Sequence, residues 1–438
     1  MEKRSLWSDT GIGAFPTLSG DIKTDVLIIG GGIAGVLCAH HLKAEGVENI
    51  LIDKGRVLSG VTENTTAKIT AQHGLIYGKI ADKYGIGAAS AYYRAQKSAM
   101  KRLSLLCSDV ECDFEECDAY VYSLDDYEKI KHEFYTLEKI GAPADFTEKT
   151  ELPFSVAAAV GMRGQGAFHP LKLLKSIVGN LKIYENTKAL GLTDNGVITD
   201  KGKIKAEKII VATHFPFIDK YGLYFLKLYQ HRSYVLALEG ARVPEGMYVD
   251  ESETGLSFRG YKNLLLLGGG SHRTGAGGGG YKELLDFSKA TYPKTKAVWG
   301  WAAQDCMSLD GMPYIGRYSK LDDRLYVATG FNKWGMTSAM LSGMILSDMI
   351  LGVKNEYAEL FSPMRSMLHK QLFVNIGHSV KGLLTPTAPR CTHLGCALKY
   401  NKEEHSWDCP CHGSRFEKNG EVINNPANRN HKSFGDKA

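Results

Sequence analysis

Short apolar runs followed by glycine turns and helix-like segments recur along most of the chain. Residues 26–29 form the first such run, with the length of a buried parallel strand, and a G-x-G-x-x-G motif comes directly after it. The next segment keeps its apolar residues on one side, and a second strand at 50–52 closes on Asp53. This order predicts a complete β-α-β unit.

The rest of the chain adds three further patterns. Residues 62–144 are typical of helices with mixed charge, and a third buried strand leads into Ala212. Short apolar strands between 233 and 270 predict a separate antiparallel sheet, and a strand, a glycine turn and a long helix return near 325–352. We therefore predict an α/β protein with a Rossmann-type domain and an interleaved antiparallel sheet.

Composition places the chain among ordinary globular proteins. Of its 438 residues, 44% are apolar and 23% charged, and the net charge of +5 gives no case for binding nucleic acid or an anionic membrane. The first residues have no apolar core of a secretory signal, and no stretch of eighteen uninterrupted apolar residues occurs. We expect a cytoplasmic protein without a membrane span.

The glycines of the first motif have separate tasks in a dinucleotide site. Gly30 permits a tight turn, Gly32 lets the backbone approach a pyrophosphate, and Gly35 lets the helix pack closely on the sheet. The N-terminus of the helix offers N–H groups to the phosphates. Asp53 stands where a carboxylate accepts hydrogen bonds from ribose hydroxyls. The motif therefore predicts dinucleotide binding.

Three blocks together resemble the D-amino-acid oxidase-like, or glycine oxidase-like, flavoproteins over residues 20–355: "TDVLIIGGGIAGVL", "KIIVATH" and "DGMPYIGRYSKLDDRLYVATGFNKWGMTSAM". The resemblance implies non-covalent FAD. The loop "SGVTENTTAKITAQHG" would lie beside the flavin, unless its threonines only cap the next helix. The implied FAD contacts beyond the glycine motif and Asp53 are Thr65, Thr66, Lys68, Ala212, Gly330, Asn332, Gly335 and Met336.

Near its end the chain concentrates cysteine and histidine in "CTHLGC" and "CPCHGS". Cys391 and His393 form C-x-H, and Cys409 and His412 form C-x-x-H. Two thiolates with two imidazoles suit either zinc or a Rieske [2Fe–2S] cluster. Each half contains one more cysteine, which a zinc site does not need.

The two halves closely resemble the motifs of the Rieske family. The resemblance implies that Cys391 and Cys409 bind one iron and that His393 and His412 bind the other. It also implies a disulfide that links the two cluster loops, between Cys396 and Cys411.

The two resemblances together predict the domain organisation. We expect an FAD-dependent oxidoreductase domain at 1–360, a linker at 361–385 and a minimal, all-β Rieske domain at 386–438. Within the first domain the FAD-binding parts would be about 20–75, 155–220 and 300–355, with a substrate subdomain at about 225–295.

Flavin accepts electrons in pairs and a Rieske cluster passes them singly. Because the cluster would be superfluous if O2 reoxidised the flavin, we expect an amine or amino-acid dehydrogenase that serves an unidentified one-electron acceptor. The alternative is a non-enzymatic flavin and iron–sulfur redox sensor. A Rieske oxygenase would need a 2-His-1-carboxylate site and an NAD(P)H-fed reductase a second glycine motif, and we find neither.

The substrate residues are the least constrained by the pattern. Arg232, Arg259 and His272 fall on or near the predicted antiparallel sheet, which should lie over the open face of the flavin. An arginine there could pair with a substrate carboxylate. The alternative for each arginine is a surface or interdomain salt bridge.

Overall fold

The computed structural model describes residues 1–218, 221–386, 389–432 and 434. The described helices, in chain order, are α1 (Ile33–Ala44), α2 (Ile76–Tyr84), α3 (Ile86–Ser108), α4 (Tyr127–Lys139), α5 (Pro170–Val178), α6 (Tyr224–Lys227), α7 (Gly280–Thr291), α8 (Gly335–Ile350) and α9 (Lys370–Leu384).

The described strands, again in chain order, are β1 (Ile22–Ile29), β2 (Asn49–Ile52), β3 (Lys68–Ile69), β4 (Glu115–Ser123), β5 (Ala144–Thr147), β6 (Ala158–Ala167), β7 (Ile183–Tyr184), β8 (Ala189–Thr193), β9 (Gly196–Thr199), β10 (Lys203–Val211), β11 (Leu228–Glu239), β12 (Met247–Asp250), β13 (Ser257–Tyr261), β14 (Leu264–Arg273), β15 (Lys296–Ser308), β16 (Tyr314–Arg317), β17 (Leu325–Thr329), β18 (Lys399–Asn401), β19 (Ser406–Asp408), β20 (Arg415–Phe416) and β21 (Val422–Asn424). They form three sheets.

The first sheet confirms the predicted α/β fold class. Its strand order is β16-β17-β10-β1-β2-β7, with β9 and β8 attached beside β10, and β1 runs parallel to both β2 and β10. Ile29 lies in register with Ile52 on one side and Val211 on the other. Because these strands are buried and parallel, their carboxyl ends meet at one edge, where α/β proteins bind ligands.

The second sheet is larger than the segment 225–295 from which we expected it. Its order is β15-β11-β14-β13-β12-β4-β6-β3, with β5 beside β6, and only β12 and β4 pair in parallel. Four of its strands, β3 to β6, come from residues 68–167, although the pattern predicted mostly helix for residues 62–144. In the β4 segment, "EECDAYVYS", none of the first four residues is buried, and the buried residues lie in the second half. The apolar run is therefore too short to signal a strand.

The third sheet contains only the four short antiparallel strands β18–β21. Its core is small, with Trp407 and Phe416 packed beside the terminal cysteines. The segment 361–385, predicted as a linker, contains helix α9. No helix in the described part of the chain combines the length and the apolar character needed to cross a membrane.

Candidate active site

A cavity of about 970 Å³ lies between the first two sheets. Its walls include the residues that end β1, β10 and β17, the inner side of β11, β14 and β15, and a stretch of the C-terminal domain. Of the residues predicted to contact a dinucleotide, all but Gly35 line this cavity: Gly30, Gly32, Asp53, Thr65, Thr66, Lys68, Ala212, Gly330, Asn332, Gly335 and Met336.

The glycine turn is too closely packed for larger residues. Gly30 has φ +113°, and a Cβ there would lie 2.5 Å from the Ala212 carbonyl oxygen. A Cβ on Gly35 would lie 1.9 Å from the Gly30 carbonyl oxygen, so Gly35 sets the contact between α1 and β1 from behind the cavity. The first turn of α1 meets the cavity wall at Gly32 and Ile33. This cradle fits the pyrophosphate of a dinucleotide.

Asp53 is fixed at the end of β2 by two backbone donors. One carboxylate oxygen accepts from the Gly31 N–H at 2.7 Å and the other from the Gly55 N–H at 2.8 Å. Burial raises the pKa of Asp53, and the two N–H groups oppose that shift. The acid therefore keeps one orientation at the cavity wall.

Thr62 is a residue of this cradle that the sequence did not single out. Its hydroxyl accepts from the Ile33 N–H at 3.0 Å, at the start of α1, where the N-cap position is Gly32 and has no side chain to do so. Its distance from the motif in sequence hides this role. A threonine in a loop gives no local signal of capping a helix that starts 29 residues earlier.

The first residue of β3 is a lysine with an unusually low pKa. The Lys68 ammonium donates to the Thr66 hydroxyl at 2.9 Å. Burial, assisted by the nearby Arg259 charge, lowers the pKa of Lys68 to about 7. Lys68 can therefore donate a hydrogen bond at neutral pH in either protonation state.

Arg259 supports this loop from behind. Its guanidinium donates to the Thr66 carbonyl and, at 3.0 Å, to the Phe168 carbonyl. Burial lowers the pKa of Arg259 to about 10. The side chain is not part of the cavity wall, so the structure places this substrate candidate in a supporting position beside the predicted flavin loop.

The turn after β17 forms the opposite side of the cavity. Gly330, Asn332 and Lys333 all have positive φ, and the side-chain amide oxygen of Asn332 accepts from the Ser308 N–H at 2.8 Å. α8 then starts at Gly335, with its first turn on the cavity wall. This turn aims the N-terminus of α8 at the cavity, where a positive dipole end stabilises developing negative charge.

His73 also lines the cavity, beside the start of α8. Its ring stacks on Trp334 at 5.0 Å, Nδ1 lies 2.8 Å from the Tyr92 hydroxyl, and Nε2 lies 2.8 Å from the Thr70 carbonyl. Burial lowers the pKa of His73 to about 3, so the ring is neutral at physiological pH.

A polar network on the second sheet faces the same cavity. The Lys333 ammonium donates to the Ser271 hydroxyl at 3.3 Å, Ser271 donates to Ser233 at 3.1 Å, and Ser233 donates to the Asp305 carboxylate at 3.3 Å. Burial lowers the pKa of Lys333 and raises that of Asp305. The sequence analysis missed this network, although a polar residue in an apolar strand was the available signal for Ser233, Ser271 and Asp305.

The terminal motifs come together as two tight loops. The Cys391 N–H donates to the Cys396 carbonyl at 2.8 Å, and the Cys409 N–H donates to the Ser414 carbonyl at 2.8 Å. A hydrogen bond between the Cys391 and Cys409 thiols raises the pKa of Cys391 and lowers that of Cys409. The two predicted thiolate ligands belong to the same buried cluster of side chains.

The two predicted histidine ligands face each other beside these thiols. The rings of His393 and His412 have centroids 5.0 Å apart. Burial lowers the pKa of His412 to about 3, and neither of its ring nitrogens has a hydrogen bond of normal geometry among the described residues. A buried and a half-buried imidazole beside two buried thiols fit the donor set of a Rieske cluster.

The predicted disulfide is not present in the structure. All nine cysteines are free thiols, although the sulfurs of Cys396, Cys409 and Cys411 lie within 4.8 Å of one another. The Cys411 thiol instead donates to the His378 carbonyl of α9 at 3.5 Å. The two cysteines are thus neighbours, as the motif implied, without being bonded.

One pair of strands separates the cavity from the cluster loops. Gln230 of β11 donates to the His412 carbonyl at 2.8 Å, and Gln304 of β15 donates to the Gly413 carbonyl at 2.7 Å. Side chains alternate between the two faces of a strand, so residues an odd number of positions from these glutamines lie on the other face. Ser233 and Asp305 are such residues, and both line the cavity. The two sites therefore lie back to back across β11 and β15.

Arg232 belongs to this interdomain contact, where it forms a salt bridge with Glu404. Its guanidinium donates to both carboxylate oxygens of Glu404, one of them at 2.9 Å, and Glu404 also accepts from Arg415 at 2.9 Å and Tyr234 at 3.0 Å. His272 stacks on Tyr234, with ring centroids 5.8 Å apart. Neither Arg232 nor His272 reaches the cavity wall.

Comparison with known proteins assigns both parts of the chain. Residues 25–349 match the family model described as FAD dependent oxidoreductase, and residues 362–435 match the model of the Rieske [2Fe-2S] domain. The first match covers more than half of the chain. The second starts at residue 362, before α9 begins at Lys370 and upstream of residue 386, where we expected the Rieske domain to start.

Individual relatives agree with both matches. A Bacillus subtilis (strain 168) protein, YhfW, named as a Rieske 2Fe-2S iron-sulfur protein, is 35% identical over 96% of this chain and 95% of its own length. Gamma-glutamylputrescine oxidoreductase of Escherichia coli (strain K12) is 24% identical over 77% of this chain and 86% of its own. Glycine oxidase from Geobacillus kaustophilus shares the fold, with a TM-score of 0.66 and 18% identity over 79% of this chain and 99% of that structure.

Proposed function

This chain belongs to the family of FAD-dependent oxidoreductases and carries a C-terminal Rieske [2Fe–2S] domain, and from that premise we propose that it is an amine or amino-acid dehydrogenase. Its electrons leave singly through the Rieske domain to a separate acceptor. The use of a separate one-electron acceptor and the cytoplasmic location stay predictions.

The observation that carries this proposal is that β11 and β15 border the cavity with one face and the cluster loops with the other. We call these two strands the wall. FAD, when bound, takes two electrons from a substrate as a hydride, whereas a Rieske cluster takes up one electron at a time. Gln230 and Gln304 bind the loop of the predicted ligand His412 directly to the outer face of the wall. An enzyme that delivered its electrons only to O2 would have no use for this attachment.

Further contacts keep the cluster loop against the wall. Arg273 of β14 donates to the Pro410 and Cys411 carbonyls, both at 3.0 Å. The half-buried carboxylate of Glu404 accepts from Arg232 of the wall and from Arg415 of the Rieske domain, and Asp408 is a second carboxylate partner of Arg415. Such contacts, largely removed from solvent, fix the relative position of two domains better than exposed ion pairs do.

The polar network on the inner face supports the substrate part of the proposal. Lys333 supplies a cation and Asp305 a half-buried carboxylate, and two serine hydroxyls lie between them. A zwitterionic amino acid carries the complementary pair of charges, and an amine carries one of them. The names of the E. coli relative and of the Geobacillus structure refer to an amine compound and to an amino acid, respectively.

The test is anaerobic reduction of the full-length protein by a panel of amines and amino acids. We expect at least one compound to bleach the flavin absorbance and then to produce the electron paramagnetic resonance signal of a reduced Rieske cluster. A Cys409→Ser variant is the matched control. It should still bleach but should no longer reduce a one-electron dye at the wild-type rate.

Two results would contradict the proposal in different ways. If no compound in the panel bleaches the flavin faster than buffer does, the substrate assignment is wrong and the sensor alternative is favoured. If the flavin bleaches while the cluster stays oxidised, the dehydrogenase part stands and the exit through the Rieske domain is wrong.

A further inference from the structure

A stretch of the Rieske domain forms part of the wall of the FAD cavity. We call residues 422–430 the strap. It consists of β21 and the loop that follows. The strap residues on the cavity wall are Val422, Ile423, Asn424, Asn425, Ala427, Asn428 and Asn430. Four of them are asparagines, of which Asn424, Asn425 and Asn428 are half-buried and Asn430 is exposed. The polar groups of this wall are therefore neutral amides.

The first attachment of the strap to the flavin domain lies beside the glycine turn. The Asn425 side-chain amide donates to the Thr213 carbonyl at 2.8 Å and to the Phe215 carbonyl at 2.5 Å. Thr213 directly follows Ala212, the residue whose carbonyl contacts the position of the Gly30 Cβ. Asn425 is therefore attached at the carboxyl end of β10, where the dinucleotide cradle begins.

The second attachment lies on the side of Asp53. The Lys188 ammonium donates to the Asn428 carbonyl at 2.6 Å. The residue before it, Thr187, donates its N–H to the Asp53 carbonyl at 2.8 Å, so Lys188 lies next to the end of β2. Between Asn425 and Asn428 the strap thus runs from the end of β10 to the end of β2, across the cradle.

The strap is also tied to the cluster loop within its own domain. The Ala427 N–H donates to the Ser414 hydroxyl at 3.0 Å, and Ser414 accepts from the Cys409 N–H through its carbonyl at 2.8 Å. β21 pairs with β20, with Asn424 opposite Arg415. The position of the strap therefore depends on the fold of the second Rieske loop.

We propose that the strap is a part of the FAD-binding site supplied by the Rieske domain. It closes the cavity over the end that contains Gly30 and Asp53, and its amides offer hydrogen bonds to the dinucleotide there. Because the strap is attached to the flavin domain at both Asn425 and Asn428, release of FAD requires that the strap detach. By linkage, bound FAD in turn favours the docked Rieske domain. The inference does not depend on the substrate or the acceptor.

The experiment measures FAD release from the holoprotein after dilution, through the rise in flavin fluorescence. Asn425→Ala removes two hydrogen bonds, and Asn425→Asp replaces the amide donor with a carboxylate facing two carbonyls. We expect release to be about fivefold faster or more in Asn425→Ala, since one ordinary hydrogen bond corresponds to roughly that factor. Asn425→Asp should release FAD faster still.

Asn419→Ala is the matched control, because Asn419 lies in the same domain, bonds only to Glu421 among the described contacts, and is outside the cavity wall. It should release FAD at the wild-type rate. The Rieske electron paramagnetic resonance signal, recorded on each variant, shows whether the cluster loops are intact.

Equal release rates in Asn425→Ala and Asn419→Ala, with the cluster intact, would overturn the proposal. If both Asn425 variants lose the cluster, Lys188→Met decides, since it removes the other attachment from the flavin domain. Faster release from Lys188→Met with an intact cluster supports the strap, and an unchanged rate overturns it.

Discussion

Helix α9 contains two glycines, Gly377 and Gly382, which differ in the space available for an added Cβ. This difference gives a test of how the helix packs. A Cβ on Gly377 would meet no atom within 4 Å. A Cβ on Gly382 would lie 2.6 Å from the Cys411 sulfur and 3.2 Å from the Cys396 Cβ. The same substitution in the same helix is therefore open at one site and obstructed by the cluster loops at the other.

The expected magnitudes follow from two terms. Replacing a helical glycine with alanine stabilises a helix by about 1 kcal/mol. Forcing an extra methyl group into a close-packed site costs about 1–3 kcal/mol. Gly377→Ala should therefore raise the free energy of unfolding of the Rieske domain by about 1 kcal/mol. Gly382→Ala should have a free energy of unfolding about 1–3 kcal/mol below that of Gly377→Ala, because the close contact opposes the same gain.

Urea titration of the holoprotein, followed by the visible circular dichroism of the cluster, measures this difference. Flavin absorbance, recorded in parallel, reports the other domain, so that loss of the cluster is not confused with global unfolding. Comparing midpoints is valid if the two variants share the same urea dependence. Equal stabilisation by both alanines would refute the reasoning, because it would mean that α9 does not pack against the cysteines of the cluster loops.

Three further perturbations test other contacts. Gly35→Ala should leave purified protein with little FAD, because its Cβ would lie 1.9 Å from the Gly30 carbonyl, whereas Gly87→Ala, with nothing within 4 Å, should retain full flavin content; equal contents would contradict the cradle. Burial alone would raise the pKa of Glu404, but its arginine partners bring it below the usual 4.5, so its stabilisation is complete above that pH and is lost as pH falls through the lower native value. Glu404→Gln should accordingly destabilise the protein at pH 7 and converge with wild type in acid unfolding titrations, and a constant difference would show that Glu404 does not titrate as inferred. Lys333→Met should raise the KM for amino acids about tenfold or more, as expected for a lost charged hydrogen bond, with less effect on amines that lack a carboxylate; an equal effect on both would argue against carboxylate binding.

Much of the cofactor chemistry was predictable from short stretches of sequence. The G-x-G-x-x-G turn and the two terminal motifs each complete their geometry within a few residues, through hydrogen bonds such as that from the Gly413 N–H to the Cys409 carbonyl at 2.9 Å. Spacing alone therefore indicates the group that such a loop accommodates. The same local argument identified the buried parallel strands around Ile29, whose apolar runs allow few other environments.

Contacts across long separations were not predictable in this way. Arg232 has the charge and the strand position expected of a substrate-binding residue, yet it points to the outer face of β11 and pairs with Glu404. Lys333 lies in the turn that the family resemblance indicated, but its partner Ser271 is 62 residues away. One step along a strand reverses the face on which a side chain lies, and no local pattern states which face a second domain will cover.

The sequence by itself thus determined that the chain has a dinucleotide cradle and a pair of cluster loops, because each is built by neighbouring residues whose geometry depends on local spacing. Only the tertiary structure decided that these two sites share one wall and that the strap of the second domain lies over the first. Gln230 and His412 are 182 residues apart, and they meet because sheet register and domain docking, summed over many weak contacts, bring them together.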